Sequence, residues 1–160
     1  MEYKELDEID LQLLEALQWD ASLSNLALAE RVHISAPTCL RRIKRLHEQG
    51  WIERQVAILS RDKLGHGIQA LVEITLDNQG AEFLQAFETR VVAESCVQQC
   101  WRVSPGPDFV LVVQASDMPD YLSLTQRLFT RDANVRNVKA FFATHRAKFG
   151  TQIALPNRQR

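Results

Sequence analysis

Between residues 35 and 47 the chain carries four cations, Arg41, Arg42, Lys44 and Arg45, and no acid. Guanidinium and ammonium groups at that density bind anions, and a regular line of anions is what a nucleic-acid backbone presents. Ser35, Ala36, Pro37 and Thr38 come just before them. At the start of a helix these small or hydroxyl-bearing residues would lie against base edges, where Thr38 could donate a hydrogen bond or pack on a thymine methyl. Arg41, one turn further, is the expected base contact, to guanine. Lys44, Arg42 and Arg45 complete the expected DNA-binding set. Arg42 and Arg45 are read as phosphate contacts, with pairing to an acid of the first helix as the alternative for Arg42.

Catalytic chemistry finds no such cluster. There is no glycine-rich phosphate loop and no Ser or Cys nucleophile beside a base, so no catalytic residues and no enzyme activity are expected. Cys39, Cys96 and Cys100 are odd in number and lack a C-x-x-C spacing, which predicts reduced thiols, no metal site and no bound cofactor. His47, His66 and His145 have no paired carboxylate at useful spacing and read as surface or packing residues. Trp19, Trp51 and Trp101 read as packing residues rather than base-stacking platforms.

The elements that must hold the cationic cluster follow from pattern. Asp7 with Asp10 forms an N-cap and acidic third position, opening a helix over residues 7–18 with Ile9, Leu13, Leu14 and Leu17 on its apolar side. Ser24 caps a second helix through residue 32. His33-Ile34 makes a tight turn, and Ser35 starts a third helix in which Cys39, Ile43 and Leu46 form the buried stripe. Pro37 is tolerated in its first turn and Gly50 ends it. Three short helices with a tight turn between the last two make a helix-turn-helix. Net charge is −1, yet seven acids, Glu2, Glu5, Asp7, Glu8, Asp10, Glu15 and Asp20, precede the cations, so one end of this unit is expected to be acidic and the other basic.

Residues 51–59 favour a strand through Ile52, Val56, Ile58 and Leu59. Beyond them the order is strand 68–76, helix 81–92 with Phe83, Leu84, Phe87 and Val91 inward, strand 96–103, turn 104–108, strand 109–115, helix 117–130 and strand 135–144. That is a ferredoxin-like βαββαβ arrangement. The expected fold class is α+β: an N-terminal three-helix winged-type helix-turn-helix domain (residues 1–52), a strand and linker (53–67), a C-terminal ferredoxin-like βαββαβ sandwich domain (68–148), and a tail (149–160).

Two helices cover one face of such a sheet. Phe109-Val110-Leu111-Val112-Val113 is apolar on both alternating sides, and Leu71 and Phe141 lie opposite the helix-facing set. A face of that kind needs a cover. The expected cover is the same sheet of a second copy about a two-fold axis, giving a homodimer; the N-terminal domain or the tail is the alternative. A dimer predicts a near-palindromic duplex operator with half-sites about one or two helical turns apart. The acidic N-terminus is not that of a signal peptide, and no apolar run reaches the ~20 residues a membrane span needs. No membrane partner and a cytoplasmic, nucleoid-associated location are therefore expected.

Leu6-Asp7-x-x-Asp10, Leu28-Ala29-Glu30-Arg31-Val32, Ile34-Ser35, Cys39-x-x-Arg42-Ile43-Lys44-Arg45-Leu46, Gly50-x-Ile52 and Leu64-Gly65 together resemble the Lrp/AsnC (feast/famine) family of transcription regulators over nearly the whole chain. The resemblance implies a dimer that assembles further into tetramers or octamers. It also implies control of amino-acid metabolism or transport genes with an amino acid as effector. The turn bordering that family's effector pocket aligns with Ser104, Pro105, Gly106, Pro107 and Asp108. Here Asp108 would take an ammonium and turn N–H groups a carboxylate, a plain hairpin turn being the alternative. This chain departs from the family's pattern at His33 and Pro105, where the family has glycine, at Ser22, where it has arginine, and at Lys139 and Phe141, where it has small hydroxyl residues. A second function of the same helix-turn-helix, architectural DNA binding without a ligand, predicts long ligand-insensitive footprints instead of short phased ones.

Overall fold

The computed structural model of the chain describes residues 6–61, 63–65 and 67–155; His66 lies outside them. The chain divides into two compact units, residues 1–58 with 148–160, and residues 59–147.

The first unit is helical. Helix α1, Glu8–Trp19, opens on a reciprocal capping box: the Asp10 N–H donates to Asp7 Oδ1 at 2.9 Å and the Asp7 N–H to Asp10 Oδ2 at 3.2 Å. Two of the four orphan N–H groups of a helix start are satisfied in this way. Helix α2 is Asn25–Arg31, capped by Ser24, and helix α3 is Ala36–Glu48. Gly50 has φ 76°, and its N–H reaches the His47 carbonyl while that of Trp51 reaches Leu46. These are the two bonds that close a helix on a left-handed residue. Leu13, Leu14, Leu28, Ala29, Val32, Cys39 and Leu46 form the core, with Ile43 half-buried at its margin. The tail, expected as a separate segment, packs on this unit: Ile153 N–H donates to Gln18 Oε1 at 2.7 Å and Leu155 joins the edge of the core.

Residues 53–60, expected to be extended, belong to no strand. Val56, Ile58 and Leu59 are exposed. A strand exists through its ladder, and among the described residues none pairs with this segment.

The second unit is a four-stranded antiparallel sheet, order β2-β3-β1-β4, with β1 Ile68–Leu76, β2 Val97–Arg102, β3 Phe109–Ala115 and β4 Val135–Phe142. Gly67 enters β1 so close to the Ser116 carbonyl that a Cβ would sit 2.9 Å from its oxygen. Helix α4, Ala81–Val92, and helix α5, Met118–Thr125, cover one face; α5 continues into a wider π turn, Gln126–Thr130. Alternation along the strands sends Ala70, Val72, Ile74, Leu76, Phe109, Leu111 and Val113 into the helices, where they meet Phe87, Val91, Tyr121, Leu124, Leu128 and Phe129. Phe87 lies 4.8 Å from Phe109 between ring centres. Phe83, expected inward, is partly exposed, because Leu84 and Phe87 already fill the stripe that α4 turns to the sheet. The α+β organisation, three helices followed by a ferredoxin-like unit, is the one the pattern predicts.

Candidate nucleic-acid interface and sensor turn

Helix α2, the turn and helix α3 are locked together by polar contacts. His33 takes the left-handed conformation at φ 55°, as a tight turn requires where glycine is absent. Ile34 N–H donates to the Ala29 carbonyl at 3.0 Å, and Asn25 Nδ2 donates to the Ala36 carbonyl at 2.8 Å. The second bond fixes where α3 begins relative to α2. Ser35 occupies the N-cap, but its hydroxyl donates to Thr38 Oγ1 at 2.8 Å and caps no backbone N–H.

The cations of α3 fall into two classes. Arg42 Nη1 donates to Asp7 Oδ2 at 2.6 Å and to Asp10 Oδ1 at 2.8 Å. Arg45 Nη2 donates to Asp10 Oδ2 at 2.5 Å. Asp10 is wholly buried, and the side chains of Arg42 and Arg45 are only 19% and 26% exposed. Burial alone would raise the Asp7 carboxyl pKa, but hydrogen bonds from Arg42 and from the Asp10 N–H, with the Arg42 charge, outweigh it and hold the carboxyl below its ordinary value. Hydrogen bonding to Asp7 raises Arg42 in turn. The pairing given as the alternative for Arg42 is present, and it extends to Arg45. Two acids of α1 thereby lie against two cations of α3, so the acidic and basic ends expected for this unit partly cancel.

Arg41 and Lys44 remain. Arg41 is exposed and makes no ion pair with any described residue; Lys44 is exposed and reaches only Glu48, at 3.7 Å, one turn along the helix. With Pro37 and Leu40 they form a single face at helical spacing. Leu40, 60% exposed, is the residue pattern reading missed. Its signal was available: it stands three residues after Pro37 and four before Lys44, on the side opposite Cys39 and Leu46.

At the other candidate site, residues 104–106 are exposed and Pro107 and Asp108 half-buried. Asp108 is tied to the end of β1: its Oδ2 accepts from Leu76 N–H at 2.7 Å and its own N–H donates to the Ile74 carbonyl at 2.8 Å. One carboxylate oxygen therefore orders the strand end. Burial pushes the thiols of Cys39, Cys96 and Cys100 up from their ordinary value, which leaves them less thiolate and suits packing. Among the described residues, no group of three or more potential ligands is arranged to hold a metal ion, and no helix is long and apolar enough to cross a membrane.

The sheet face away from α4 and α5 carries Gln99, Val112, Leu71 and Phe141 in one row across the strands, and Trp101, Val110, Glu73 and Lys139 in the next. Trp101 is 58% exposed, Leu71 43% and Phe141 45%. Trp19 and Trp51, expected with Trp101 as packing residues, are also exposed. For Trp101 the reason is its place on this open face.

Residues 6–53 match the winged helix-turn-helix DNA-binding family, and residues 69–153 match the Lrp/AsnC ligand binding domain. A leucine-responsive regulatory protein of Rhizobium meliloti is 34% identical over 151 residues, 94% of this chain and 97% of the relative. An AsnC family transcriptional regulator from Agrobacterium tumefaciens superposes with a TM-score of 0.86 at 30% identity, covering 93% of this chain and 97% of that one. A transcriptional regulator from Neisseria meningitidis, solved as a complex with L-methionine, superposes with a TM-score of 0.87 at 25% identity, covering 94% and 97%.

Proposed function

Because the chain belongs to the Lrp/AsnC family of DNA-binding transcription regulators, which are not enzymes, we propose that it controls amino-acid metabolism or transport genes and changes its hold on DNA when an amino acid occupies its ligand-binding domain. It acts at the nucleoid, in the cytoplasm. The observation that carries the DNA reading is the free face of α3, where Pro37, Leu40, Arg41 and Lys44 stand clear of the helical core. Ser35, Ala36 and Thr38 place the start of that helix at the base edges. Arg41 contacts a guanine and Lys44 a phosphate, while Arg42 and Arg45 hold α3 at the angle that presents them.

Replacing Arg41 with alanine is expected to weaken binding to the preferred duplex by about 1–3 kcal/mol and binding to random duplex hardly at all. Titration of both duplexes with both proteins at one fixed salt concentration measures this. Equal losses on the two would move Arg41 to the phosphates and leave specificity to other residues.

The protein works as a homodimer, assembling further into tetramers or octamers. Exposed Leu71, Trp101 and Phe141 on the open face of the sheet support the dimer. A two-fold axis then repeats α3 at half-sites one or two helical turns apart. The effector is an amino acid bordered by residues 104–108. The N–H groups of Ser104 and Gly106 donate to its carboxylate, and the Asp108 oxygen not used by Leu76 accepts from its ammonium. The L-methionine bound by the Neisseria protein supports this ligand class. Isothermal calorimetry against a panel of amino acids tests it. Heat and a raised melting temperature with at least one of them are expected; silence from all, with long ligand-insensitive footprints on DNA, would favour an architectural protein.

A further inference from the structure

We propose that Leu40 is a specificity-determining residue, reading the C5-methyl group of a thymine in the operator; this rests on the DNA reading above. Among the described residues, the exposed face of α3 runs Pro37, Leu40, Arg41, Lys44, and its opposite side is the buried stripe of Cys39 and Leu46. Any docking that brings Arg41 to a base edge carries Leu40, its neighbour on that face, into the same groove. A lone exposed leucine is unremarkable on a protein surface. This one lies within the first turn and a half of the helix, between a proline and two exposed cations.

Thr38 is the residue whose type suits a thymine methyl by pattern alone. It is half-buried, and its hydroxyl receives the Ser35 hydroxyl's hydrogen bond, so it is held to the helix start. Leu40 projects further and has no polar atom to satisfy. The major-groove edges of the four base pairs offer donors, acceptors and one apolar group, the thymine methyl. Facing any other edge, Leu40 would cover a polar atom without bonding it, which costs affinity. The side chain therefore favours thymine and disfavours the alternatives with the same contact.

The test replaces thymine with uracil, which removes the methyl group and leaves every hydrogen-bonding group in place. A duplex selected from a random pool by the full-length protein is resynthesised with uracil at each thymine in turn. At one thymine per half-site, wild-type affinity is expected to fall about fourfold, the effect of losing one buried methyl. Leu40→Ala is expected to bind the thymine duplex about as weakly as wild type binds the uracil one, and to be indifferent to the exchange. Because Leu40 is 60% exposed, the variant should melt within a degree or two of wild type, which separates recognition from folding. Indifference of wild type to uracil at every position overturns the proposal while leaving sequence-specific binding intact. Retention of the full uracil penalty by Leu40→Ala assigns the methyl to another residue. Failure of wild type to select any duplex removes the DNA reading as well.

Discussion

Replacing Asp10 with alanine is expected to lower the stability of the helical unit by about 3 kcal/mol, measurable as a fall in the denaturant midpoint followed by circular dichroism. Asp10 is fully buried and receives Arg42 and Arg45 together with the Asp7 N–H. Removing one partner of a buried pair typically costs 3–5 kcal/mol, because the other charge stays behind unpaired. The lower end applies, since both arginines are long, keep about a fifth to a quarter of their side chains in water, and Arg42 retains Asp7. Against a total of about 5–15 kcal/mol for an ordinary domain, this is a large share. Asp10→Asn, which keeps an acceptor but loses the charge, should fall between. The Asp7 arm adds a pH signature. Its pKa is held below the ordinary 3.8, so its contribution is complete above that pH and fades as the pH falls through the folded-state value. An Asp10→Ala protein as stable as wild type would show that the cluster is a surface pairing of little weight.

Leu71→Asp is expected to convert the proposed dimer to monomers at micromolar concentration, read by sedimentation velocity. Leu71 sits centrally on the open sheet face, flanked by Val112 on one side and Phe141 on the other, with Trp101 and Val110 in the adjacent row. On association a carboxylate there would lose its water among Val112, Phe141, Trp101 and Val110, with the Glu73 carboxylate in the neighbouring row repelling it and Lys139 as the nearby cation, and this desolvation opposes pairing of the two faces. The helix-facing core does not use Leu71, so the monomer should keep its α/β unit and its circular dichroism. Binding to a two-half-site duplex should fall with dimerisation, while a single half-site should be held as before. A dimer that survives the substitution would locate the association elsewhere and leave this face for another cover.

Much of the organisation was legible in local chemistry. The capping box of Asp7 and Asp10, Ser24, Gly50, the period-two alternation of β1 and the unbroken apolar run of β3 each act over a few residues, and each element they announce is present. What depended on distant parts of the chain was harder to read. Arg42 and Arg45 look alike with Arg41 and Lys44 in sequence; only the arrival of α1 against α3, more than 30 residues away in the chain, separates them. Residues 53–60 have strand-forming side chains, but a ladder depends on a neighbour, which composition does not supply. Asp108 suits a turn or a ligand equally by type, and its bond to Leu76 N–H comes from a strand 32 residues earlier. Leu40 lies outside the buried stripe of Cys39, Ile43 and Leu46, and its exposure follows only from how α3 packs.

The anchoring of two arginines by Asp10 reaches beyond folding. A cation already neutralised inside the protein displaces no sodium or potassium from the sheath around a duplex when the helix docks. On the proposed DNA reading, helix α3 then brings two exchangeable charges per copy rather than four, and rising ionic strength is expected to loosen the complex with the shallower slope of that smaller number. The proposed grip on DNA would then be less sensitive to the cell's changing osmotic state than the count of arginines and lysines suggests.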